Sequence, residues 1–182
     1  MLFNLRTCEH RFQVTSFGGA RTTILMPILR LQNFSVSTGS FPKPENNQSP
    51  PPQDDKVPTG FRALYVYGDP RNAVLSVFRR GYQNWHIQNM QEDLRGWNDD
   101  WTLRDYLAEG KDLFGLAGHF DSWVTADRDY PIMIAEFDAL WDEQSAVFSF
   151  FGLPTDAMQD FPERKERNSD WRDESSEVQD QI

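Results

Sequence analysis

The feature that most limits how this chain can fold is a junction at residues 61–76, where the nearly continuous apolar run FRALYVY passes through Gly68 into DPRNAVLS. A run of that kind reads as a strand covered on both faces. The residues behind it carry the marks of a helix start. The Asp69 carboxylate can accept orphan N–H groups of a first turn, and Pro70 suits the first helical position, where no amide donor is missed. Arg79 and Arg80 stand beside the negative end of the helix dipole, and Gly81 can turn left-handed behind them. The expectation is a strand at 61–67 and a helix at 70–80.

Other strand–helix pairs fall into place around this one. Residues 12–17 read as a short strand that runs into Gly18 and Gly19, with a helix over 21–31 that Pro27 should kink or shorten. Residues 130–137 look like a third strand. Residues 138–151 come next as a helix with Leu140, Trp141, Val147, Phe148 and Phe151 at core spacing before Gly152 and Pro154 stop it. Between 82 and 126 the better helical stretches are 97–107 and 113–124. Strands that alternate with helices imply an α/β fold, a three-layer, P-loop-like arrangement of a short parallel sheet flanked by helices.

The expected plan is a single domain over 1–162 with two polar segments outside its core. Residues 42–58 hold six prolines among Asn, Gln, Ser and Asp, which predicts a flexible insert. From 155 to the end, nine acidic residues face four basic ones, so half of the chain's net charge of −10 is local to the tail, and 163–182 reads as an acidic, disordered segment. A net charge of that sign argues against broad binding to nucleic acid or to anionic membrane. Cys8 is the single cysteine, which excludes an internal disulfide and a multi-thiolate zinc site and favours a reducing, cytoplasmic compartment. The apolar run ILMPIL at 24–29 is too short to span a bilayer, and the sequence gives no sign of a signal peptide.

The loop SFGGARTT at 16–23 has the small residues and helix entry that let backbone N–H groups converge on an anion, with Arg21, Thr22 and Thr23 as helpers. It lacks the spacing and the lysine of a Walker A loop, which counts against a nucleotide kinase or NTPase. By itself it reads as a tight connection. Set at the carboxyl end of a strand parallel to 61–67, it would share one sheet edge with the Asp69 helix, where open α/β sheets bind ligands.

Together the two stretches resemble the phosphosulfate-binding motifs of the P-loop sulfotransferases. VTSFGGARTTIL is similar to that family's 5′-phosphosulfate loop and YVYGDPRNAVLS to its 3′-phosphate motif. YPIMIAEFDALWDE with FFGLP, and FPERKERNSDW, resemble the later elements of the family, so the likeness covers most of the chain outside the proline-rich insert. It implies 3′-phosphoadenosine 5′-phosphosulfate (PAPS) as donor. Gly18, Gly19, Ala20, Arg21, Thr22 and Thr23 would hold its 5′ end, Ser76 its 3′-phosphate, and Arg164, Lys165 or Arg167 would close over that phosphate. The implied reaction is metal-free transfer of a sulfuryl group to a hydroxyl or amine of a small molecule or glycan.

The chain departs from the family pattern at two cations and at the base. Gly68 stands eight residues before Ser76, where the family usually has an arginine, and Gly19 stands where it favours a lysine or arginine. Each loss removes a charge-assisted contact of about 1.5–3 kcal/mol. The interval 33–56, where a base is expected, has no histidine, and Lys43 and Glu45 sit at the edge of the proline-rich insert. His10, His86 and His119 read as surface or packing residues, so no catalytic base is assigned. The alternative is a sulfotransferase-like scaffold that binds without transferring. Trp85, Trp97, Trp101 and Trp123 fit either an acceptor pocket or a core.

Overall fold

The computed structural model describes residues 11–17, 36–37, 50–91, 96–164 and 170–182. Four parallel strands form one small sheet: β1 (Phe12–Thr15), β2 (Val36–Ser37), β3 (Arg62–Tyr67) and β4 (Ile132–Glu136), in the order β2-β1-β3-β4. β1 pairs with β3 from Phe12 opposite Arg62 to Thr15 opposite Tyr65, and β3 pairs with β4 from Ala63 opposite Ile132 to Tyr67 opposite Glu136. The molecule is therefore mixed α/β with a parallel sheet flanked by helices, as the alternation of elements predicts. The loop and helix expected at 18–31 lie outside the described residues, and with them Gly18, Gly19, Ala20, Arg21, Thr22 and Thr23.

Side-chain alternation along β1 and β3 divides the core in two. Phe12, Val14, Leu64 and Val66 face α5 (Gln144–Phe151) and pack with its Val147, Phe148 and Phe151. Phe12 and Phe151 meet edge to face at 5.2 Å. Burial of such side chains stabilises by roughly 1.5–3 kcal/mol each. The other sheet face, with Ala63 and Tyr65, carries α1 (Pro70–Arg79), α2 (Gln83–Met90), α3 (Leu103–Ala108) and α4 (Leu116–Val124), which all belong to the crossover from β3 to β4.

α1 has the expected ends. The Asp69 carboxylate accepts from Arg71 N at 2.9 Å with Pro70 in the first turn. Gly81 turns left-handed at φ 68°, and the Tyr82 and Gly81 amides bond back to Val77 and Phe78 carbonyls. That pair of bonds is a Schellman closure.

The crossover differs from the sequence expectation in its boundaries. The helix expected at 97–107 starts only at Leu103, because Thr102 and Asp105 form a reciprocal capping box there. The one expected at 113–124 starts at Leu116, behind Gly115 at φ 69°, where a side chain would collide with the Gln91 amide. α2 arises where no helix was expected. Its weak amphipathicity is made up by tertiary bonds, Trp97 Nε1 to Asn84 Oδ1 at 3.0 Å and Asn84 Nδ2 to the Asp99 carbonyl at 2.9 Å. Residues 138–151 also divide, into a 3-10 turn at Asp138–Trp141 and α5.

Both polar segments are more ordered than their composition predicts, over the parts described. Of the insert, residues 50–58 are fastened by Arg128 Nε to the Pro52 carbonyl (2.9 Å) and by Tyr130 Oη to the same oxygen (2.7 Å). Prolines lack a donor but keep a strong acceptor, and here that acceptor is what holds them. The tail expected to be disordered from 163 onward instead forms a 3-10 turn at Trp171–Asp173 and α6 (Ser176–Gln181), which dock on the crossover helices. Two partly buried apolar residues one helical turn apart, Val178 and Ile182, pack against the crossover core.

Candidate functional site

Because β1 and β3 are adjacent and parallel, Phe17 and Gly68 emerge at the same sheet edge. A cavity of about 590 Å³ opens there, bounded by both residues and by Pro70, Arg71 and Val74 of α1. Leu116, Ala117 and Phe120 of α4 form a second wall, Leu107 and the Gly110–Lys111–Asp112 turn a third, and Gln181 and Ile182 a fourth. A carboxyl-edge cavity beside a helix start is the usual ligand position of an open parallel sheet.

The polar groups at the α1 end form a closed set. Arg71 bonds Asp69 through Nε and an amino nitrogen, both at 3.0 Å, and its guanidinium lies 3.8 Å from the Trp171 ring centroid. Trp171 Nε1 donates to the same Asp69 carboxylate at 2.9 Å. Asn72, nearly buried, accepts from Trp171 N at 2.8 Å and donates to Asp170 at 3.3 Å. Partial burial works to raise the Asp69 carboxyl, but the Arg71 side-chain and backbone bonds and the Trp171 indole outweigh it and hold it below the ordinary value. Asp170 is lowered too, first by its bond from the Arg172 amide. Depressed carboxylates contribute stability above the unfolded pKa and lose it as pH falls through the folded one. The docked tail should therefore loosen only below the usual carboxylate range of about 4.

Ser76 is not part of the cavity wall. It is half-buried on the α1 face that also carries Asn72 and Arg79, one turn to either side, and Arg79 pairs with Glu174 of the tail. Arg164 stands at the carboxyl end of β4, exposed, 3.6 Å from Asp138 and over the Trp141 ring at 5.8 Å. Arg167 and Lys165, like Lys43, Glu45 and His10, lie outside the described residues. His86 is buried against Phe114, with ring centroids 4.8 Å apart. His119 has Nδ1 3.0 Å from the hydroxyl of Tyr65, itself fully buried, so this histidine has a named partner that the sequence did not indicate. Trp123 is core, stacked on Tyr65, and Trp97 packs beside Phe114, whereas Trp85 is about half exposed.

Sequence reasoning missed the α4 wall and the tail anchor. The signal available for the second was an Asp-Trp pair with an i, i+4 apolar pair behind it in an otherwise polar stretch. Trp171→Ala should remove a bond to a carboxylate of about 1.5–3 kcal/mol and a cation–π contact of about 0.5–1 kcal/mol. The expected result is faster hydrogen exchange over 176–181 with β3 unchanged. Undiminished protection of α6 would show that the anchor lies elsewhere.

No family model matches the chain, and neither does any curated protein or solved structure. Among the described residues, no helix is long and apolar enough to cross a membrane.

Proposed function

We propose that the chain is a sulfotransferase-like protein that binds PAPS across the two strand–helix junctions of its sheet edge and transfers the sulfuryl group to an acceptor hydroxyl or amine. The observation that carries this reading is the parallel pairing of β1 with β3, which brings the chain leading into the Gly18–Thr23 loop and the start of the Ser76 helix to one edge beside a cavity. In the reaction, an acceptor oxygen or nitrogen bonds to sulfur while the bond from sulfur to the 5′-phosphate oxygen breaks. The acceptor's proton passes to base, and 3′-phosphoadenosine 5′-phosphate (PAP) leaves. Arg21 and the Thr22 and Thr23 hydroxyls would steady charge on the leaving oxygen, and Ser76 with Arg164 and Arg167 would orient the 3′-phosphate.

A second reading is a binding module without transfer. Gly68 offers no side chain where the family has a cation, and the nearby Arg71 is committed to Asp69 and Trp171.

Thermal melting in the presence of PAP tests the shared part of both. A ligand at 100 times its dissociation constant adds about 2.7 kcal/mol, which for a chain of this size is a rise of roughly 5–10 °C. No rise up to millimolar PAP would remove the nucleotide claim. A rise without label transfer from PAPS to an acceptor panel would select the binding module.

A further inference from the structure

The cavity's own chemistry narrows what it can take. Its walls are largely aromatic and aliphatic, with Phe17, Tyr67, Leu107, Leu116, Phe120 and Ile182 turned toward the space. Among the described residues, each charged side chain on the wall has a counterpart in the protein. Arg71 is held by Asp69 and covered by Trp171, and Asp112 accepts from the Ala117 amide at 2.8 Å at the start of α4. Lys111 is mostly exposed and stands 4.0 Å from Glu109. From the described residues a charged ligand would gain no uncommitted counter-ion for the hydration it gives up, and a sugar would leave many hydroxyls against apolar surface.

We infer that this cavity is the acceptor subsite and that its occupant is an uncharged, mainly apolar alcohol or amine of a few rings, not a glycan or an anion. The cavity's 590 Å³ falls within the range of about 300–1,000 Å³ that holds ligands of this size. Calling the occupant an acceptor rests on the proposed sulfuryl transfer, whereas its apolar, uncharged character rests on the cavity alone.

Binding of 4-phenylphenol, 4-phenylbenzoate and maltotriose to the full chain, measured by calorimetry, tests this. The phenol should bind at least about tenfold more tightly than either of the others. Ala117→Phe, which adds a ring at the exposed α4 edge of the cavity, should weaken phenol binding about tenfold or more. Should that variant fail to fold, Ala117→Asp puts a carboxylate on the same wall while suiting a helix first turn, and should weaken it likewise. Equal or tighter binding of the benzoate or the trisaccharide overturns the inference, as does no saturable phenol binding up to about 1 mM. A parallel PAP titration separates the two claims. A PAP response without phenol binding removes the cavity assignment alone, and phenol binding without a PAP response removes the donor reading alone.

Discussion

Phe114→Ala is expected to lower the unfolding free energy by about 3–5 kcal/mol, measurable by urea denaturation. Phe114 is fully buried in the turn before α4 and has four aromatic neighbours. Tyr106 of α3 lies 4.7 Å away, His86 of α2 4.8 Å, Trp97 5.7 Å and Phe78 of α1 5.9 Å, centroid to centroid. The crossover helices are six to ten residues long, too short to be stable alone. Three of them, α1, α2 and α3, converge on this ring. Removal leaves a cavity bordered by rigid aromatics that cannot collapse into it. A loss under about 1 kcal/mol would mean that the crossover is held by something other than this cluster.

The second large effect is a dependence of stability on pH centred on His86. Burial first, then the charges of His119 and Arg80, push its pKa down to about 4 from an ordinary 6.5. The unfolded chain therefore binds a proton over a window in which the folded chain does not. Stability is complete above about pH 6.5 and falls as pH drops toward 4, by on the order of 3 kcal/mol from this residue. Urea titrations at pH 7 and pH 4.5 should differ by much of that amount. His86→Leu, which removes the titrating group while keeping an apolar body, should flatten the slope. An equal slope in the variant would assign the pH dependence to other groups.

How far the sequence disclosed this fold depends on how local each signal was. The β3–α1 junction was legible because Asp69, Pro70 and Gly81 act within a few residues of where they stand, and β4 and α5 were legible from apolar spacing. β2, with two residues, carries no pattern. α2 depends on Asn84 reaching Trp97 and Asp99, partners beyond its own turn. The tail was misread because its composition is polar on average, whereas its docking rests on Trp171, Val178 and Ile182 finding α1 and the crossover core.

The candidate site divides the same way. The sheet edge could be read from the order of strands and helices, and Gly68 does border a cavity. The α4 wall and the Arg71–Asp69–Trp171 set could not, because they join residues about a hundred positions apart. Ser76 proved to face the tail side of α1, between Asn72 and Arg79, so the 3′-phosphate position implied by the resemblance lies on a different side of that helix from the apolar cavity.

The most direct measurement is the dissociation constant of PAP for the wild-type chain and for Arg21→Ala and Ser76→Ala, by calorimetry under one set of salt conditions. One nucleotide held at both ends predicts saturable binding that each substitution weakens, Arg21→Ala by about tenfold or more and Ser76→Ala by several-fold. Absence of wild-type binding, or one affinity shared by all three proteins, would contradict it.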